Sequence, residues 1–160
     1  MTEKTADRGP LNDAVYSALG RITANASALE YSIVRLIGAM LKDPRLAYAL
    51  TAGSTGRALL DVSSAVFRTR YRGHRFSDDF EALISSIRRL EARRNQIVHS
   101  WWDLDLLAGK VTRTRLKRDK KHPFVFDDES LDASELNEFA DTLHLATKVV
   151  KRVPAALIKV

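Results

Sequence analysis

Between positions 10 and 41, apolar residues recur every three or four places: Leu11, Val15, Leu19, Ile22, Ala26, Leu29, Ile33, Leu36, Ile37 and Met40. Steps of that size put all of them on one side of an α-helix. Pro10 suits the first turn of such a helix, and Gly20 is its weak point, where a kink or break can occur. Asp43-Pro44 ends it, because the residue before a proline is driven out of the helical region.

The same period returns three times. After a short helical turn at 44–52 and a break at Ala52-Gly53-Ser54-Thr55-Gly56, a second helix is predicted over about 55–71, with Leu59, Leu60, Val62, Val66 and Phe67 inward. The break lacks the spacing and the preceding strand of a phosphate loop. The basic residues Arg68, Arg70, Arg72, His74 and Arg75 follow around Gly73, where they complement the helix dipole. A third long helix is predicted from Ser77 or Asp78 as cap, with Glu81 in the first turn and Phe80, Leu83, Ile84, Ile87, Leu90 and Val98 as its buried stripe. A last helix is predicted over about 133–152, opened by the capping-box pair Asp132 and Glu135. Leu136, Phe139, Ala140, Leu143, Ala146, Val149 and Val150 face inward, and Pro154 ends or kinks the helix.

Between the third helix and the last, the period changes to two. Trp102, Leu104 and Leu106 alternate with Trp101, Asp103 and Asp105, and the stretch from Val111 to Leu116 alternates again beyond Gly109. This predicts a β-hairpin over about 101–117. A three-residue loop at 108–110 would set Asp105 opposite Arg113 and Asp103 opposite Arg115, a register favoured by opposite charges across strands. Both tryptophans are expected to pack the hairpin on the bundle. The expected fold is mainly all-α: a single domain over 10–160, an antiparallel bundle of about four main helices with the hairpin inserted before the last, preceded by a disordered lead at 1–9.

Composition narrows the chemistry. An apolar fraction of 45% in 160 residues is enough for a real core, and a net charge of +6 favours an anionic partner such as nucleic acid. There is no cysteine, and His74, His99, His122 and His144 do not pair at metal-ligand spacing, so neither a disulfide nor a metal site is expected and no cofactor is implied. No apolar run is long enough for a membrane span, and the first ten residues carry no apolar signal core. A cytoplasmic protein is the expectation.

One stretch concentrates groups suited to phosphate chemistry. In Arg94-Asn95-Gln96-Ile97-Val98-His99-Ser100, Asn95 and His99 are four apart and share a helix face. Ile97 and Val98 point elsewhere and can anchor the segment in the core. Arginine binds phosphate through a planar fork and histidine moves protons near neutral pH. Arg88, Arg89, Arg93 and Arg94 crowd the same helix, as a solvated face or as a track for phosphates. Arg113, Arg115, Lys117, Arg118, Lys120 and Lys121 could extend such a track, or belong to strand pairs and a solvated loop. Glu30 falls inside the apolar pattern of the first helix, where an acid is costly unless paired. It either forms a structural ion pair with an arginine from another helix or orients Arg94 or His99.

The stretch resembles the signature of HEPN domains, an Arg with a polar neighbour followed, after four to six residues, by His. Here Arg94 and His99 are separated by four residues, with Asn95 as the polar neighbour. The resemblance covers roughly the first two-thirds of the chain and the final helix, and residues 101–132 are less typical. It implies a small helical bundle that dimerises and often acts as a metal-independent endoribonuclease, with Arg94, Asn95 and His99 as the catalytic group. A role as the toxin of a toxin–antitoxin pair, with an antitoxin protein as partner, or in phage defence would follow. The resemblance is equally compatible with a dimeric module that binds RNA, nucleotide or protein without cutting. A third reading is structural: Arg94 pairs with Glu30, His99 caps the helix, and the motif closes the bundle.

Overall fold

The computed structural model of the chain describes residues 10–105, 110–117 and 125–158. The expected lead at 1–9, the hairpin turn around Gly109 and the basic positions Arg118, Lys120 and Lys121 lie outside the described residues. The elements run α1 (Pro10–Leu41), α2 (Pro44–Thr51), α3 (Gly56–Arg70), α4 (Ser77–Val98), β1 (Trp101–Asp105), β2 (Lys110–Lys117), β3 (Val125–Leu131) and α5 (Ala133–Ile158). The protein is thus mainly a helical bundle with a small antiparallel sheet inserted before its last helix.

α1 is the mast of the bundle. It is helical straight through Gly20, and Val15, Ile22, Ala26, Leu29, Ile33, Leu36, Ile37 and Met40 are all buried, as the period predicts. It packs against α5 along the widest contact and touches α2, α3 and α4 as well. Asp43 caps α2 by accepting from the Leu46 N–H at 3.0 Å, with Pro44 in the first turn. Asp132 and Glu135 close a reciprocal capping box on α5, each contact 2.8 Å. Phe67 of α3 stacks on Phe80 of α4 with ring centres 3.9 Å apart.

Several details differ from the sequence reading. Ser77 does not cap α4: its hydroxyl donates to the His74 carbonyl at 2.6 Å, so the preceding turn takes the group that would have capped the helix. Pro154 does not end α5, which runs on to Ile158. Leu157 is buried beyond the proline and shares an apolar cavity with Phe80, Leu83 and Val153. That burial offsets the hydrogen bond proline removes. Adjacent residues on a helix are about 100° apart, and in the pairs Ile97/Val98 and Val149/Val150 only one residue faces the core. Ile97 and Val150 are buried, and Val98 and Val149 are exposed.

The hairpin forms, but in a different register and with a third strand. The sheet order is β1-β2-β3, antiparallel throughout. Asp105 stands opposite Lys110 and Asp103 opposite Thr112, not opposite Arg113 and Arg115. Those two arginines face the unforeseen strand instead, Arg113 across from Glu129 and Arg115 across from Asp127. Acids of β3 thus stand opposite both arginines, and Arg113 pairs with Glu129 and Asp127. Trp102 packs on the core as expected, whereas Trp101 is 66% exposed.

Candidate functional site

The last turn of α4 presents the motif, and the residues beyond it hold that turn in place. The final carbonyls of a helix lack partners within the helix. Here the His99 N–H donates to the Asn95 carbonyl at 3.1 Å, the Ser100 hydroxyl to the Gln96 carbonyl, and the Trp102 indole N–H to the Ile97 carbonyl at 3.0 Å. The string His-Ser-Trp-Trp is therefore the C-terminal closure of α4. It leaves the His99 side chain exposed at the helix end.

Arg94 lies half-buried between α4 and α1. Its Nη2 donates to Glu30 Oε1 at 2.7 Å and its Nη1 to Asn95 Oδ1 at 2.9 Å. The two sequence readings of Glu30 converge: it is an interhelical ion pair, and its partner is Arg94 itself. Of the five guanidinium N–H donors, these two contacts leave three, of which the one on Nε is buried without a partner. Because arginine can only donate, the Asn95 oxygen must face Arg94 and its NH2 must face away.

Glu91, one turn before Asn95, escaped the sequence reading. It is 6% exposed, and its Oε1 has no hydrogen-bond partner. Burial pushes its carboxyl above the usual carboxylate range; the Arg94 charge opposes that shift and the Glu30 charge adds to it. Gly56, at the start of α3, makes room for both acids. A Cβ there would come within 2.6 Å of Glu91 Oε2 and 3.1 Å of Glu30 Oε1, so any side chain would displace them. The sequence signal was present: Glu91 continues the spacing of Phe80, Ile84 and Ile87, the buried face of α4.

The arginines assigned to a phosphate track divide. Arg88 pairs with Asp61 at 2.7 Å. Arg93 binds Glu129 through both terminal nitrogens, at 2.6 and 2.7 Å. Arg113 is 4% exposed and meets Glu129 at 2.5 Å and Asp127 at 3.5 Å, so it belongs to the junction between sheet and helix and not to a surface track. Arg89 bonds to the Ser85 and Ser86 hydroxyls at 3.2 and 3.0 Å and stays exposed. Arg115 is half-buried on β2, and of the Lys117 side chain nothing is described.

Together the groups at the end of α4 can anchor an anion and move a proton: a guanidinium with uncommitted donors, an outward amide NH2 and an exposed imidazole. Among the described residues, no three His, Asp or Glu side chains gather as a metal-holding set, and no helix is long and apolar enough to cross a membrane. Comparison of the chain with protein-family models, with curated proteins and with solved structures finds no match.

Proposed function

We propose that the protein is a HEPN-like, metal-independent endoribonuclease that works as a homodimer. The observation that carries this reading is the Arg94 guanidinium held by Glu30 and Asn95 at the helix end that also bears the exposed His99. In the proposed reaction the RNA 2′-hydroxyl gives its proton to an imidazole and its oxygen attacks the adjacent phosphorus. The bond from phosphorus to the 5′-oxygen breaks, and that oxygen takes a proton from an imidazolium. The products are a 2′,3′-cyclic phosphate and a 5′-hydroxyl. His99 transfers protons, Arg94 stabilises charge on the phosphoryl oxygens, and Asn95 positions Arg94. One chain supplies one such histidine, and two helix ends brought together by a two-fold axis supply both base and acid. A nuclease of this kind suits a toxin restrained by an antitoxin protein, or a phage-defence component.

The test is labelled RNA and matched DNA incubated with wild type, His99→Ala and Arg94→Lys in EDTA. Wild type should cut RNA and spare DNA, which lacks the attacking 2′-hydroxyl, and His99→Ala should be inactive but folded and of unchanged mass. Equal RNA loss with wild type and His99→Ala would sink the assignment. A second reading, an RNA-binding module that does not cut, is favoured by the two Arg94 donors already engaged within the chain. RNA binding by folded wild type without cleavage of several RNAs would select it.

A further inference from the structure

Beside the motif, between α3 and α4, lies a cavity of about 330 Å³ lined by Arg57, Leu60, Arg88, Glu91, Ala92 and Asn95. Its size is at the lower end of the range for small-molecule sites, about 300–1,000 Å³, room for one nucleotide and little more. Asn95 belongs to both the cavity and the motif, so whatever fills the cavity is held next to Arg94.

We infer that this cavity is a guanine-binding subsite, with the Glu91 carboxylate and the Asn95 amide reading the base. The inference rests on the endoribonuclease reading for its purpose and on the cavity for its chemistry. Glu91 lines the cavity, its buried Oε1 lacks a donor, and a ligand N–H that reaches the carboxylate would supply one. Asn95, four residues on and therefore on the same helix face, has its oxygen taken by Arg94 and offers its NH2. The pair thus presents an acceptor group beside a donor. Guanine is the RNA base whose pairing edge has two adjacent N–H donors, N1–H and the 2-amino group, next to a carbonyl acceptor, O6. Adenine, cytosine and uracil each carry donors at only one atom of that edge, so a two-oxygen carboxylate is better matched by guanine. Leu60 gives the base an apolar wall, and Arg57 at the cavity, with Arg88 held by Asp61 beside it, supplies positive charge for its phosphate. Gly56 fixes the reader from behind, since a side chain there would push into the Glu91 carboxyl.

The experiment titrates the wild-type protein with the 5′-monophosphates of guanosine, adenosine, cytidine and uridine by calorimetry, then follows cleavage of oligouridylate carrying a single G, A or C. GMP should bind about tenfold tighter than the others, the scale of one extra hydrogen bond to a charged acceptor, and cutting should concentrate beside G. Glu91→Gln should bring GMP within about twofold of AMP. The exposed Asn95→Asp, which keeps an oxygen for Arg94 but turns the donor into an acceptor, should lose the preference as well and is safe for folding. Equal binding of the four nucleotides by wild type, or a GMP preference untouched in both variants, overturns the subsite. Cleavage without base preference overturns it while leaving the nuclease reading standing. A GMP preference abolished by the variants, in a protein that cuts nothing, upholds the subsite and overturns the nuclease.

Discussion

Arg93 and Arg94 are neighbours in sequence and enter two charge clusters of opposite character. Arg93 turns to the sheet, where it and Arg113 share Glu129, with Asp127 also beside Arg113. Both oxygens of Glu129 are engaged by guanidinium groups, which hold its carboxyl down at about 2. Arg94 turns to α1, where it has one acid contact at Glu30, while Glu91 keeps a buried oxygen without a donor and Arg94 a buried Nε without an acceptor. The first cluster resembles a rivet: two guanidinium groups meet two acids and tie β2, β3 and α4 together, although Arg113 Nη1 is buried there without a partner. The second differs in leaving a carboxylate oxygen open as well as a guanidinium nitrogen. Buried polar groups without partners are rare because they are costly, and at a site they are what a substrate can complete. Stability and the proposed function thus fall to adjacent residues of one helix.

The largest effect should come from breaking the rivet. Glu129→Ala leaves Arg113 buried with only the longer Asp127 contact and frees Arg93, so we expect a loss of about 3 kcal/mol, the lower end for removing one partner of a buried pair. Urea denaturation measures it. The loss should fall on stability, with cleavage per folded molecule unchanged. If Glu129→Ala unfolds no more easily than wild type, the comparison between the clusters fails.

Next comes Arg94→Lys. An ammonium can keep the Glu30 contact but cannot fork toward Asn95 and a phosphate at once. We expect RNA cleavage to fall by about a hundredfold or more, as for lost transition-state charge stabilisation, with the urea midpoint nearly unmoved. The inverse pattern, a large stability loss with cleavage retained, would make Arg94 a second rivet and return the motif to a purely structural role.

These contrasts also explain what the sequence made legible. Helical periods identify α1, α3, α4 and α5 because apolar burial and periodicity are local properties. The Asp132/Glu135 box marks the start of α5 for the same reason. β3 was hidden because Asp127, Asp128 and Glu129 break any alternating apolar pattern; the strand is held by partners on β2, which are visible only once the chain has folded. The same logic misassigned the hairpin register, since charge complementarity was read against the nearer acids, Asp103 and Asp105. At the site, the Arg94 to His99 spacing was visible, and so was the anomaly of Glu30. Glu91 was missed because a glutamate among arginines reads as surface, although its place on the stripe of Phe80, Ile84 and Ile87 marked it as buried.

A smaller effect separates the clusters by pH. The Glu129 carboxyl titrates near 2 when folded against about 4.5 for an ordinary glutamate. Its contribution is therefore complete above about pH 4.5 and is lost as pH falls from there toward 2. Urea midpoints of wild type should fall across that window, and Glu129→Gln should flatten the slope. A slope unchanged in Glu129→Gln would mean that other carboxylates govern acid unfolding.

The smallest effect has the opposite sign. The Glu91 carboxyl is raised when folded, mainly by burial. A raised folded value means that its contribution is fully present below the ordinary value of about 4.5 and is lost as pH rises through the folded one. Above that ordinary value, burying the Glu91 carboxyl therefore works against the fold. Glu91→Gln removes the charge at nearly constant volume and can keep the fit against Gly56. We expect it to raise stability at pH 7 by about 1 kcal/mol, within the range common for stabilising single substitutions, and to give no gain at pH 4, below the ordinary carboxyl value. Thermal unfolding at the two pH values measures the difference. A gain of equal size at both would locate the effect in packing and not in charge. A loss at pH 7 would show that the Glu91 carboxylate is already satisfied in the free protein, which would leave no open acceptor for a ligand and make the two clusters alike.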